Sequence, residues 1–100
     1  MQDTQNSGVS PAIVSPRKDV VYSLRVVPGR GVESAEVIPL SAVADGDVHE
    51  LHWFVGSTYL GKSDPSKPLL WKPKPGHFVV RVADDLGRTD SRAIEVKVTQ

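Results

Sequence analysis

Residues 48–55 read Val-His-Glu-Leu-His-Trp-Phe-Val. Successive side chains of an extended strand point to opposite faces. Leu51, Trp53 and Val55 then share one side, and Glu50, His52 and Phe54 share the other. A helix would need apolar positions spaced by three and four, and this stretch does not supply them. It reads as a strand that turns its tryptophan toward a core.

The same period of two runs outward in both directions. Gly56-Ser57 turns the chain into Thr58-Tyr59-Leu60, which predicts a hairpin. Residues 69–71 (Leu-Leu-Trp) form a short strand between prolines. Residues 76–83 place Phe78, Val80 and Val82 on one face, and Asp84-Asp85-Leu86-Gly87 closes a second hairpin. Residues 92–99 place Ile94, Val96 and Val98 inward, with Glu95 and Lys97 outward. Upstream, residues 12–15 are a short strand candidate. Residues 20–27 form a longer one, stopped by Pro28-Gly29-Arg30-Gly31. Residues 36–44 align Ile38, Leu40 and Ala42, and Asp45-Gly46-Asp47 turns the chain. Pro39 lacks a ladder donor, so that strand is expected at an edge or with a bulge there.

Seven or eight short strands with regular turn signals predict an all-β fold, an immunoglobulin-like antiparallel β-sandwich of about seven strands. Residues 1–10 are polar and read as a flexible tail or linker; residues 11–100 are the sandwich domain.

One hundred residues suffice for one domain with a real core. Twelve basic residues balance twelve acidic ones, which removes the basic stripe that nucleic-acid binding requires. The chain has no cysteine, so thiolate catalysis, disulfides and cysteine-ligated zinc are excluded. No apolar run approaches the roughly 20 residues of a membrane span. The polar opening from Met1 to Gly8 is no signal peptide, and it suggests either a cytosolic protein or a piece cut from a larger chain.

Two strings imitate catalytic motifs. Residues 56–63 (Gly-Ser-Thr-Tyr-Leu-Gly-Lys-Ser) match the phosphate-loop pattern. That chemistry needs a following helix whose N-terminus faces the anion, and Pro65 and Pro68 would break one within a turn. A hairpin is expected and no nucleotide. Ser15-Pro16-Arg17-Lys18 imitates a serine-enzyme S-x-x-K, but a strand follows where a helix is needed. His49 and His52 would face opposite ways on a strand, a poor metal geometry, and His52 beside Glu50 reads as a solvated pair. No cofactor or metal is expected.

Aromatic residues outside the core offer another kind of site. Phe54 faces away from Trp53, Tyr59 sits on the adjoining hairpin strand, and Trp71 on the next short strand. They are the candidate partner-binding residues, since aromatics anchor interfaces. The alternative is that loops or an edge strand cover them.

From Ala12 to Val98 the chain resembles the C-terminal domain of bifunctional penicillin-binding proteins of the 1C type. The resemblance is carried by Ile13-Val14-Ser15-Pro16, Leu51-His52-Trp53-Phe54-Val55-Gly56 and Tyr59-Leu60-Gly61. Further along it is carried by Leu70-Trp71-Lys72-Pro73, Pro75-Gly76 and Val82-Ala83-Asp84-Asp85-Leu86-Gly87-Arg88. It implies a periplasmic parent, anchored in the inner membrane, whose upstream glycosyltransferase and transpeptidase domains build peptidoglycan. This piece would be its non-catalytic tail, not itself an enzyme. It would be a binding or positioning module with a periplasmic protein partner, an alpha-2-macroglobulin-like protein being one candidate. The other readings are a module contacting cell-wall glycan and a structural spacer.

Overall fold

The computed structural model describes residues 9–18, 20–25 and 37–99. Most of the expected tail, the turn at Pro28–Gly31 and the first residue of the 36–44 strand lie outside them. Eight strands and no helix occur among the described residues. They are β1 (Ala12–Ser15), β2 (Val21–Arg25), β3 (Ile38–Val43), β4 (Leu51–Val55), β5 (Thr58–Ser63), β6 (Leu69–Trp71), β7 (Gly76–Asp84) and β8 (Thr89–Thr99).

Two sheets form. One has three strands in the order β1-β3-β6; the other has five, in the order β2-β8-β7-β4-β5. Their apolar faces meet. Ile13, Ile38, Leu40 and Ala42 come from the first sheet, and Leu24, Leu51, Trp53, Val55, Val80, Val82, Ile94 and Val96 from the second. Trp53 is wholly buried, and its indole N–H donates to Ser63 Oγ at 3.1 Å. That bond satisfies a polar group that would otherwise be costly to bury.

All but one of the strand pairs are antiparallel; β2 runs parallel to β8. β1 belongs to the three-stranded sheet and β2 to the free edge of β8, so the chain changes sheets after the buried Pro16. Arg92 Nη1 fastens this crossing by donating to the Pro16 carbonyl at 2.9 Å. Strands that switch sheets through a bend are a known way to build sandwich corners.

Three expectations need correction. β3 is the central strand of its sheet and not an edge. The irregularity falls on its neighbour, between Ile13 and Ser15 of β1. There the Ser15 hydroxyl donates to the Pro39 carbonyl at 2.6 Å, so the side of Pro39 that lacks an N–H faces a segment where the ladder is already broken. Val98 is exposed rather than inward. β8 outruns β7, whose first residue Gly76 pairs with Val96, so no β7 residue flanks Val98. The third concerns residues 48–50, which precede β4 instead of belonging to it, although Val48 is buried.

Candidate functional site

The hairpin of β4 and β5 sets the main outward feature. Its ladder pairs Trp53 with Gly61 but Phe54 with Tyr59, leaving Leu60 as an extra residue. Such a bulge reverses the alternation of one strand relative to its partner. Leu60 turns to pack on the core, while Tyr59 comes to the outer face beside Phe54. The two ring centroids are 5.2 Å apart with planes tilted by 52°. On the other side of Phe54 the ladder places Arg81, whose guanidinium carbon lies 4.8 Å from the ring centroid. A cation over an aromatic face is attracted by the ring quadrupole.

Polar groups border this pair. The Tyr59 hydroxyl and His52 Nδ1 share a hydrogen bond of 3.0 Å. His52 Nε2 lies 3.4 Å from Glu50, and Lys62 Nζ donates to Glu50 Oε2 at 3.1 Å. The Lys62 hydrogen bond and charge hold the Glu50 carboxyl below its ordinary value, with a smaller contribution from His52. Further across the sheet, Val79, Ala93, Val21 and Val20 line a shallow groove of about 480 Å³ with His77 and Glu95.

Trp71 is placed elsewhere. It lies on β6 of the three-stranded sheet, opposite Ile38, and meets Phe78 edge-on at 5.5 Å. Both rings are half-buried against the core. They line a cleft of about 450 Å³ with Val55 and Leu60, with Lys72 and Lys74 also among its lining residues. The structure therefore joins Phe54 to Tyr59 and sets Trp71 apart. A three-residue strand between prolines offers too short an alternation to show which way its ring turns.

Residues 56–63 are the β4–β5 turn followed by β5. Gly56 has φ +59° at that turn, and Lys62 is engaged by Glu50. Asp64 then closes a turn by accepting from Ser66 N and Ser66 Oγ, which keeps its carboxyl below the ordinary value. The S-x-x-K string is the end of β1 and the crossing that follows, with the Ser15 hydroxyl committed to Pro39. Among the described residues, no three His, Asp or Glu side chains are placed to hold a metal ion. No helix among them is long and apolar enough to cross a membrane.

One polar cluster escaped the sequence reading. Asp84, the last residue of β7, is buried, and its carboxylate accepts from Leu86 N, Arg88 N and Arg88 Nε. Arg88 also reaches Asp47 at 3.2 Å and Asp45 at 3.6 Å. Burial works against the guanidinium charge, but the Asp84 and Asp47 hydrogen bonds outweigh it and raise its pKa. Both oxygens of the buried Asp84 carboxylate are used within its own turn, so this knot serves the fold. The spacing D-x-x-G-R was its visible trace.

Three comparisons with known proteins complete the picture. A fibronectin(III)-like module of CbhA from Clostridium thermocellum superposes with a TM-score of 0.65, covering 90% of this chain and 99% of that one. At 20% identity, that likeness shows the fold alone. No curated protein matches the sequence. The model of the Penicillin-Binding Protein C-terminus Family matches residues 1–97.

Proposed function

The chain belongs to the Penicillin-Binding Protein C-terminus Family, and on that premise we propose that it is the non-catalytic binding and positioning module of a periplasmic bifunctional peptidoglycan synthase. Membership makes it a piece of a cell-envelope protein. The finer reading is recognition of a periplasmic protein by the outer face of the five-stranded sheet. The observation that carries it is the Phe54–Tyr59 pair with Arg81 stacked on it. Aromatic and arginine side chains dominate interface hot spots. Here they stand on adjacent strands of one sheet, so little side-chain and loop freedom remains to be lost on binding.

A second reading has one observation in its favour. Tyr59 is half exposed and hydrogen-bonded to His52, which in turn lies beside the Glu50–Lys62 pair, and an aromatic face next to polar groups suits a sugar ring with its hydroxyls. The module would then hold the enzyme against cell-wall glycan.

One experiment separates the two. The domain is used as bait in periplasmic extract, and purified sacculi are sedimented with it in parallel. A discrete protein captured by the wild type and lost with Phe54→Ser/Tyr59→Ser supports the protein-binding reading. Sedimentation lost with the same pair supports the glycan reading. Capture of nothing in either arm rejects both and leaves a spacer.

A further inference from the structure

Lysines of this chain differ in their surroundings. Lys62 donates to Glu50 at 3.1 Å, and Lys97 lies 3.8 Å from Glu95. Lys72 and Lys74 make no hydrogen bond or ion pair with any described residue, and both line the cleft that Trp71 and Phe78 share. No Asp or Glu among the described residues lines it. In a chain whose charges balance overall, this cleft carries two positive charges and no negative one.

The cleft spans both sheets. Val55 and Leu60 come from the β4–β5 hairpin and Phe78 from β7, while Trp71 comes from β6 of the other sheet. Gly76 supports this end of β7. Its φ of +141° is one that residues with side chains rarely adopt, and a Cβ there would meet the Phe78 ring at 3.4 Å. In Lys72-Pro73-Lys74-Pro75 the exposed lysines flank a half-buried Pro73, as the alternation of an extended segment requires. The prolines fix φ along it, so the backbone that carries the two lysines is stiff and loses little freedom on binding.

We propose that this cleft is a second binding site, and that its ligand is a short peptide segment of a protein partner with an apolar side chain beside a carboxylate. Charge complementarity selects the carboxylate, because the two ammonium groups have no anion within the described fold. The floor of Val55, Leu60, Trp71 and Phe78 selects the apolar side chain. The volume of about 450 Å³ lies within the roughly 300–1,000 Å³ of ligand sites. Trp71 and Phe78 are half-buried, so neither ring protrudes as insertion into a lipid surface would need. The site shares no residue with the Phe54–Tyr59 pair, so either can fail without the other.

The test is a titration of the domain with the acetylated and amidated peptide Gly-Leu-Asp-Asp-Gly, followed by heteronuclear NMR. The chain has two tryptophans, and Trp71→Phe assigns their indole N–H signals. Binding predicts a saturable shift of the Trp71 signal, while that of Trp53, buried and bonded to Ser63, stays in place. Peptides with Asn for both Asp residues, or with Ala for Leu, should bind several-fold more weakly. Lys72→Gln/Lys74→Gln should weaken the acidic peptide several-fold and leave the Asn peptide unchanged, a difference that a merely structural role of the lysines would not produce. No shift at Trp71, or equal binding of the acidic and Asn peptides, would overturn the proposal. So would an equal shift with inorganic phosphate alone, which would assign the cleft to small anions.

Discussion

Arg88 Nε donates to Asp84 Oδ2 at 2.8 Å across the turn that joins β7 to β8. The other oxygen of the same carboxylate accepts from Leu86 N at 2.9 Å and Arg88 N at 2.8 Å. One buried side chain thus satisfies three donors of its own turn. Asp84→Ala leaves the two backbone N–H groups without that acceptor. The expected loss is about 3 kcal/mol, near the upper end for a buried hydrogen-bonding group. In a domain of this size that lowers Tm by about 15 °C. Thermal unfolding followed by circular dichroism checks it, and a shift of only a few degrees would contradict the assigned role.

Trp53 and Ser63 make a second test. Trp53→Ala removes the largest buried side chain and is expected to cost about 3–5 kcal/mol. Stability of a small domain is only about 5–15 kcal/mol in total, so partial unfolding at room temperature is expected. Ser63→Ala leaves the buried indole N–H unpaired and should cost about 1–2 kcal/mol. Denaturant titration measures the Ser63→Ala value, and for Trp53→Ala the fraction already unfolded without denaturant; a fully folded Trp53→Ala with an unchanged midpoint would contradict its place in the core.

Tyr59→Ser removes the ring pair with Phe54 and the hydrogen bond to His52 and should cost about 1 kcal/mol. Phe54→Ser removes the same ring pair and the Arg81 stacking and should cost about 1–2 kcal/mol. Both variants are therefore expected to remain folded, which makes them usable in binding experiments. A collapse of Tm in either would return that ring to a structural role.

Lys62→Ala tests the phosphate-loop resemblance and the electrostatics together. Calorimetric titration with ATP and magnesium should show no heat of binding in wild type or variant; binding lost in the variant would revive the nucleotide reading. Glu50 is held below its ordinary value chiefly by Lys62, and Asp64 chiefly by Ser66. A carboxylate with a lowered folded-state pKa contributes stability that is present above its unfolded pKa and lost as pH falls through the folded one. Tm should therefore hold down to about pH 5 and decline below about pH 4. Lys62→Ala should flatten that decline; an unchanged acid profile would refute the coupling.

Much of the architecture could be read from alternation alone. Leu51, Trp53 and Val55 face the core as the period of two requires, and the β1 and β6 boundaries follow from their turn residues. What escaped depends on distance along the chain. No local pattern tells that β2 will run beside β8 in parallel, because that pairing joins residues 21–25 to residues 95–99. Val98 was misread because its exposure depends on where β7 begins, not on its own parity. Pro39 was misread because a neighbouring strand absorbs the irregularity. At the candidate site, Phe54 was legible as outward, whereas its pairing with Tyr59 required the bulge at Leu60. Trp71 required knowledge of which sheet β6 joins.

The way the chain enters through β1 has a mechanical consequence. A pull arriving at Val9 runs along β1, and the ladder of β1 on β3 lies lengthwise to that pull. Its hydrogen bonds are then loaded together in shear, whereas a hairpin peeled from its end yields them one after another. Tension applied at Val9 therefore meets the whole β1–β3 ladder at once, not one hydrogen bond at a time.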